Sequence, residues 1–227
     1  MLAQLPTELK INIIEHVDKR SLPAVLLINS SFHEITEPIL YSVVWLSPSG
    51  RAITHAVECL HAMATKPSVA AAVRTLYIFL GDVVQELFEA LGAALLKLEN
   101  LKRLELPGWD GTSCVEHIPR DSPLPSLRHY YGPAEVLDGI QSIVLATVSI
   151  EAWSTKPVEV SRALLAVARF SAETLRALEM MREGSDEEWL RIVLQLLPLF
   201  PKTRFLGLGD WNRVDDLSTA FVALAFD

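Results

Sequence analysis

The chain has 227 residues, of which half are hydrophobic and 21% charged, with a formal charge of −8. That composition supports a packed core and excludes global disorder. The acidic balance, with a pI near 5.3, argues against a nucleic-acid binder, which would present a basic face. Two cysteines imply no reliance on disulfides and suit a reducing compartment. Glu8 and Lys10 interrupt what a secretory signal would need as its apolar centre. The uncharged run 139–150 is too short and too polar to span a bilayer, and no other exceeds 13 residues. The expectation is a soluble protein of the cytoplasm or nucleus.

The first stretch, residues 4–46, opens with Leu5-Pro6-Thr7-Glu8-Leu9 and runs apolar at Leu9, Ile13, Ile14 and Val17. This is helical spacing, and Pro6 is tolerated where a first-turn N–H has no partner. Asp18-Lys19-Arg20 breaks the run, and Ser21 is placed to cap a second helix through Ile28. After Asn29-Ser30-Ser31, a third stripe begins at Phe32, Ile35, Ile39 and Leu40, with Pro38 bending or delimiting it. Three short helices in about forty residues bury little surface by themselves, which suits an attachment module.

Ser47-Pro48-Ser49-Gly50 punctuates the chain, so the sequence divides into 1–46, a linker at 47–50, and 51–227. A helix over 51–65 follows from Ile53, Val57, Leu60 and Met63 and stops at Lys66-Pro67. Beyond it, one template recurs: apolar-x-x-apolar-x-apolar. It starts at Val73, Leu101, Leu127, Leu145, Leu175 and Thr203, the third copy fitting by half and the last lacking its first apolar residue. The intervals are 28, 26, 18, 30 and 28 residues. Helical patterns lie between them at 82–98, 157–171 and 185–200. The predicted class is α/β, with short parallel strands on one face and helices on the other, stacked to share a core.

Three residues past every template except the half-fitting one at Leu127 lie Gly81, Trp109, Trp153, Glu183 and Trp211. Three of five tryptophans therefore share one position, either filling the core at strand ends or forming an aromatic rim. Residues 114–126, with Pro119, Pro123 and Pro125, read as a surface loop. Leu217, Phe221 and Leu224 suggest a last helix. It would cap the stack, or the chain would be a shortened one.

Catalytic patterns are lacking: there is no nucleophile elbow and no phosphate-binding loop. Gly207-Leu208-Gly209 serves a tight turn better than a dinucleotide fingerprint. His55-x-x-x-Cys59 and Cys114-x-x-His117 form a zinc-compatible set, but they fall in different units and read as ordinary helix and loop residues. Asp186-Glu187-Glu188 and Asp215-Asp216 complement helix dipoles. No metal, cofactor or enzymatic activity is expected.

The ordered set Leu5, Pro6, Glu8, Ile13, Val17, Leu22, Ile28, Ser30 and Phe32 resembles an F-box. Glu37-Pro38-x-Leu40-Tyr41 continues the likeness as it looks in fungal members, and Phe32 stands where the family usually has Trp. From residue 73 onward the repeats resemble a degenerate leucine-rich-repeat solenoid, whose usual period is 20–29 residues and whose Asn ladder is missing here. Together these imply a three-helix F-box followed by an irregular solenoid. They further imply a substrate-recognition subunit of an SCF-type cullin–RING ubiquitin ligase. The F-box would dock the adaptor subunit, and through it the cullin, by Leu5, Pro6, Leu9, Ile13, Ile14, Leu22, Leu26 and Phe32. Outward strand positions Tyr77, Arg103, Glu105, His129, Tyr131, Ser149 and Glu179 would meet the target protein, or else are ordinary solvated positions. The rival expectation is a repeat scaffold outside any ligase, with its N-terminal helices merely capping the stack.

Overall fold

Among the described residues, seven short strands pair in parallel in their order along the chain, and the helices between them cover one face of the resulting sheet. The structure, a computed structural model, describes residues 5–48, 52–79, 85–108, 117, 119, 122–142, 144–152, 157–182, 187–210 and 224–225. The chain begins with α1 (Thr7–Glu15), a 3-10 turn (Lys19–Ser21), α2 (Leu22–Leu26) and α3 (Ser30–Leu40). Pro6 precedes α1 and its carbonyl accepts from the Lys10 N–H at 3.2 Å. Ser21 makes no side-chain cap. Asp18 instead accepts from the Arg20 N–H and turns the chain. Asn29 caps α3, its Oδ1 accepting from the Phe32 N–H at 3.0 Å. Pro38 lies within the last turn of α3, which runs on to Leu40.

Directly after α3 comes β1 (Val43–Leu46), which pairs in parallel with β2 (Thr75–Ile78), Val44 opposite Leu76. Residues 43–46, read from sequence as the tail of the helical stretch, are thus the sheet's first strand. Between them lie α4 (Ala52–Thr65) and α5 (Pro67–Ala72). Pro67 does end the first of these, but it also opens the second, where its fixed φ suits a first turn.

The sheet continues through α6 (Gln85–Leu95), β3 (Arg103–Glu105), β4 (Ser122–Pro123), β5 (His129–Pro133), α7 (Ala134–Asp138), β6 (Ile140–Gln141) and β7 (Thr147–Ala152). Then come α8 (Pro157–Ser171), β8 (Ala177–Arg182), α9 (Glu187–Leu196), a 3-10 turn (Leu197–Leu199), β9 (Phe205–Asp210) and β10 (Leu224–Ala225). The main sheet runs β1-β2-β3-β5-β7-β8-β9-β10, while β4 and β6 form a separate parallel pair. All six sequence templates fall on strands. Leu224 and Ala225, expected in a helix, instead pair antiparallel with Leu206 and Phe205.

Strand residues alternate between faces. Val44, Leu76, Leu104, Tyr130, Val148, Leu178 and Leu206 form one inward row and pack with helix residues such as Leu60, Leu91 and Leu164. Tyr130 is 1% exposed and donates its hydroxyl proton to the Pro133 carbonyl at 2.6 Å, so its polar atom is satisfied inside the core. A second, small core of Ile14, Leu22 and Phe32 holds the N-terminal helices together, with Val17, Val25 and Ile35 packed around it. Among the described residues no helix is long and apolar enough to cross a membrane.

Side chains, rather than an asparagine ladder at the strand ends, tie neighbouring units at the other rim. Asn100 donates to the Ala71 carbonyl (3.0 Å), Thr174 to Leu145 (2.9 Å) and Ser142 to Leu127 (2.8 Å). Each satisfies a turn carbonyl that the ladder would leave to water. Gly132 holds φ at 150°, and a Cβ there would lie 3.1 Å from both Leu106 Cβ and Tyr130 Oη. Gly132→Ala is expected to cost about 1–3 kcal/mol, read as a lowered denaturant midpoint with unchanged m value.

Candidate functional site: an apolar helical surface and an open sheet face

Two surfaces collect the residues singled out from sequence. On the helical module, Leu9 and Ile13 stand one turn apart on α1 and are 51% and 41% exposed. Leu27, immediately after α2, is 85% exposed, with Ile28 beside it at 48%. Pro6 is exposed too, and Leu5 and Leu26 are half-buried. Of the eight residues assigned to adaptor docking, Ile14, Leu22 and Phe32 lie elsewhere: they are the module's own core, 1–2% exposed. Their contribution to any docking is to hold α1, α2 and α3 in place.

Lys10 was not singled out, yet it is 5% exposed and its Nζ donates to Ser31 Oγ at 2.9 Å. The same ammonium lies 5.9 Å from the Phe32 ring centroid. It therefore clamps α1 onto α3 through a hydrogen bond and a cation–π contact. Leu27 was also missed. Its signal is the run Leu26-Leu27-Ile28 at the end of a five-residue helix, too short an element to cover three consecutive apolar side chains.

The second surface is the face of the sheet that the helices leave open. Register places Tyr77, Glu105, Tyr131, Ser149 and Glu179 opposite one another on successive strands, one row across the sheet. Arg103 and His129 occupy the adjoining row, one two-residue step toward the strand starts. All seven target-facing candidates therefore share one face. Trp45 extends the long row at its first strand, 70% exposed and stacked on Tyr77 with ring centroids 4.3 Å apart and planes 14° off parallel. In the sequence Trp45 is hidden by the helical pattern that runs up to its strand.

Glu151 lies on the same face, one position past the template, and is 2% exposed. Its carboxylate accepts from the Tyr131 hydroxyl and, at 3.0 Å, from the Gly108 N–H. Burial and this hydrogen bond hold the Tyr131 phenol protonated far above the ordinary tyrosine range. Ser149 is only 6% exposed, so it offers a partner little surface, and its hydroxyl has no hydrogen-bond partner among the described residues. Arg103 pairs with Glu105 on its own strand.

Partial burial lowers the His129 pKa, and the positive fields of Arg103 and Arg128 lower it further against a smaller opposing pull from Glu105. Arg128→Ala is expected to move the His129 titration midpoint upward, toward the ordinary imidazole value, as read by imidazole NMR shifts against pH. Because the folded-state value is the depressed one, stability present above the unfolded imidazole pKa is lost as pH falls through the folded pKa.

The strand-end position of Gly81, Trp109, Trp153, Glu183 and Trp211 lies outside the described residues, as do Cys114, Asp186 and Asp215-Asp216. His55 pairs with Glu58 at 3.3 Å on the exposed side of α4, and burial pushes the Cys59 thiol pKa up. Among the described residues no group of three or more His, Cys, Asp or Glu is placed to hold a metal ion. No family model and no curated protein matches the chain.

Proposed function

We propose that the chain is the substrate-recognition subunit of an SCF-type cullin–RING ubiquitin ligase. An F-box over α1–α3 docks the adaptor, and an irregular leucine-rich-repeat-like solenoid holds the target protein. The observation that carries this reading is the apolar surface at Leu9, Ile13, Leu27 and Ile28, left exposed by a module that has already formed its own core. Exposed apolar side chains gathered on a small module mark an interaction site.

The subunit performs no transfer chemistry. It positions a target beside the ligase and so raises its effective concentration. The row from Trp45 to Glu179 offers the target a stacked aromatic pair at one end and carboxylates at Glu105 and Glu179, on a sheet packed against its helix layer. The work belongs in the cytoplasm or nucleus, where cullin ligases act.

The rival, a scaffold whose first helices only cap the sheet, requires Leu5, Pro6 and Ile13 to be covered by α4. Leu5 is half-buried, but Pro6 and Ile13 are exposed, which favours the docking reading. Co-expression of the chain with the adaptor subunit, followed by pull-down, tests it. Association at submicromolar Kd is expected, and a folded chain that leaves the adaptor behind would replace the ligase reading with the scaffold.

A further inference from the structure

One strand position, just before the outward rows begin, carries a repeated charge that the proposed function does not use. It holds Arg74, Lys102, Arg128, Ala146, Arg176 and Arg204 in successive units. Their backbones are bonded neighbours: the Lys102 N–H donates to the Arg74 carbonyl at 2.8 Å, Arg128 to Lys102 at 2.9 Å, Ala146 to Arg128, Arg176 to Ala146 and Arg204 to Arg176, each at 2.8 Å. The side chains therefore stand in a single line along the rim where the strands start. Lys and Arg make up 20 of 227 residues, so five basic residues at seven equivalent positions, Ser42 holding the first and Ala146 the fifth, are not an accident of composition.

Local capping explains part of the line. Arg74 donates to the Ala71 carbonyl at 2.5 Å and Arg176 to the Glu173 carbonyl at 3.0 Å, each finishing the turn before its strand. Lys102, Arg128 and Arg204 are exposed, and their side chains have no hydrogen-bond or ion-pair partner among the described residues. Two carboxylates, Glu99 and Glu173, sit in the turns before β3 and β8, while Lys202 adds a further cation before β9. The line thus stays basic on a chain whose net charge is −8. Such a segregated field steers an oppositely charged partner and fixes its orientation.

We propose that this rim binds an acidic, extended segment of a partner protein laid across the strands. Neighbouring strands stand ~4.8 Å apart, so the line from Arg74 to Arg204 spans roughly 24 Å, the reach of about seven extended residues. A segment with carboxylates on alternate residues would place one charge about every 7 Å, close enough for the long Lys and Arg side chains to follow. The inference rests on the reading of the sheet as the partner-binding part, and it is independent of adaptor docking by α1–α3.

The test is fluorescence anisotropy on the full chain with a labelled eight-residue peptide of alternating Glu and Gly, a Gln-for-Glu copy, and a single-stranded oligonucleotide of equal charge. Expected are binding of the Glu peptide that weakens with added salt, and at least about tenfold loss in Lys102→Glu/Arg128→Glu/Arg204→Glu, three exposed ion pairs being removed. The milder Lys102→Gln/Arg128→Gln/Arg204→Gln, with circular dichroism and melting as checks, separates lost charge from lost fold. Equal binding of the Gln copy, an unchanged affinity in the folded triple Gln variant, or tighter binding of the oligonucleotide would overturn the proposal. Adaptor pull-down runs in parallel: peptide binding without adaptor binding removes the ligase reading alone, and the reverse removes the acidic-segment reading alone.

Discussion

Leu9→Asp combined with Ile13→Asp is expected to reduce adaptor association at least about 100-fold while leaving the chain folded. The two side chains are half exposed and lie one turn apart on α1, so a carboxylate at each keeps its water when the adaptor is absent. In a docked complex both carboxylates would be taken out of water without a partner, which costs several kcal/mol together. Leu27→Asp should act in the same direction, since its side chain is 85% exposed. Calorimetric titration with the adaptor measures the loss, and hydrogen exchange in α1–α3 checks that the module persists. A folded double variant that binds the adaptor as tightly as the wild type would remove docking through this surface.

The contrast with Phe32 shows why burial matters in choosing such variants. Phe32 belongs to the ordered set that resembles an F-box, and sequence alone gives it the same standing as Leu9. Its 1% exposure separates the two. Lys10 closes over the ring, so the aromatic at this position packs α1 against α3 instead of reaching outward.

The repeats were legible because their signal is local. Apolar residues at the first, fourth and sixth template positions point to one face of a strand and its approach, and six such hexamers became β2, β3, β5, β7, β8 and β9. A seventh was equally visible: Tyr41-Ser42-Val43-Val44-Trp45-Leu46 fits the same template, and Val44 pairs with Leu76 as the register requires. The adjoining helical pattern absorbed it, and with it Trp45. The short elements α5, α7, β4 and β6 span two to six residues, too few for a periodicity to show. The two rows on the open face of the sheet were recoverable from alternation alone. Glu151 was not, because its burial depends on Tyr131 and on the Gly108 turn, contacts that no spacing encodes.

Phe32→Ala is expected to cost about 3–5 kcal/mol and to melt α1–α3 while the sheet stays protected. The argument is the division of the interior: Ile14, Leu22 and Phe32 form a cluster of their own, and among the described residues the buried side chains of the main core form another. Removing one of three central side chains takes away a large share of what the small cluster buries, and the module has no reserve. Leu91→Ala, in the main core at 0% exposure, should cost a similar about 2–5 kcal/mol but lower the protection of the sheet and its helices together. Residue-level hydrogen exchange distinguishes the cases. Loss of protection in α1–α3 alone marks a locally unfolding unit, whereas parallel loss in β2 and β3 would mean that β1 couples both cores into one cooperative fold. Saturating adaptor should restore protection in the Phe32→Ala module, because a partner that binds only the folded form draws the equilibrium back by mass action. A module this dependent on three side chains gains from being held, and docking through its exposed face would supply that hold.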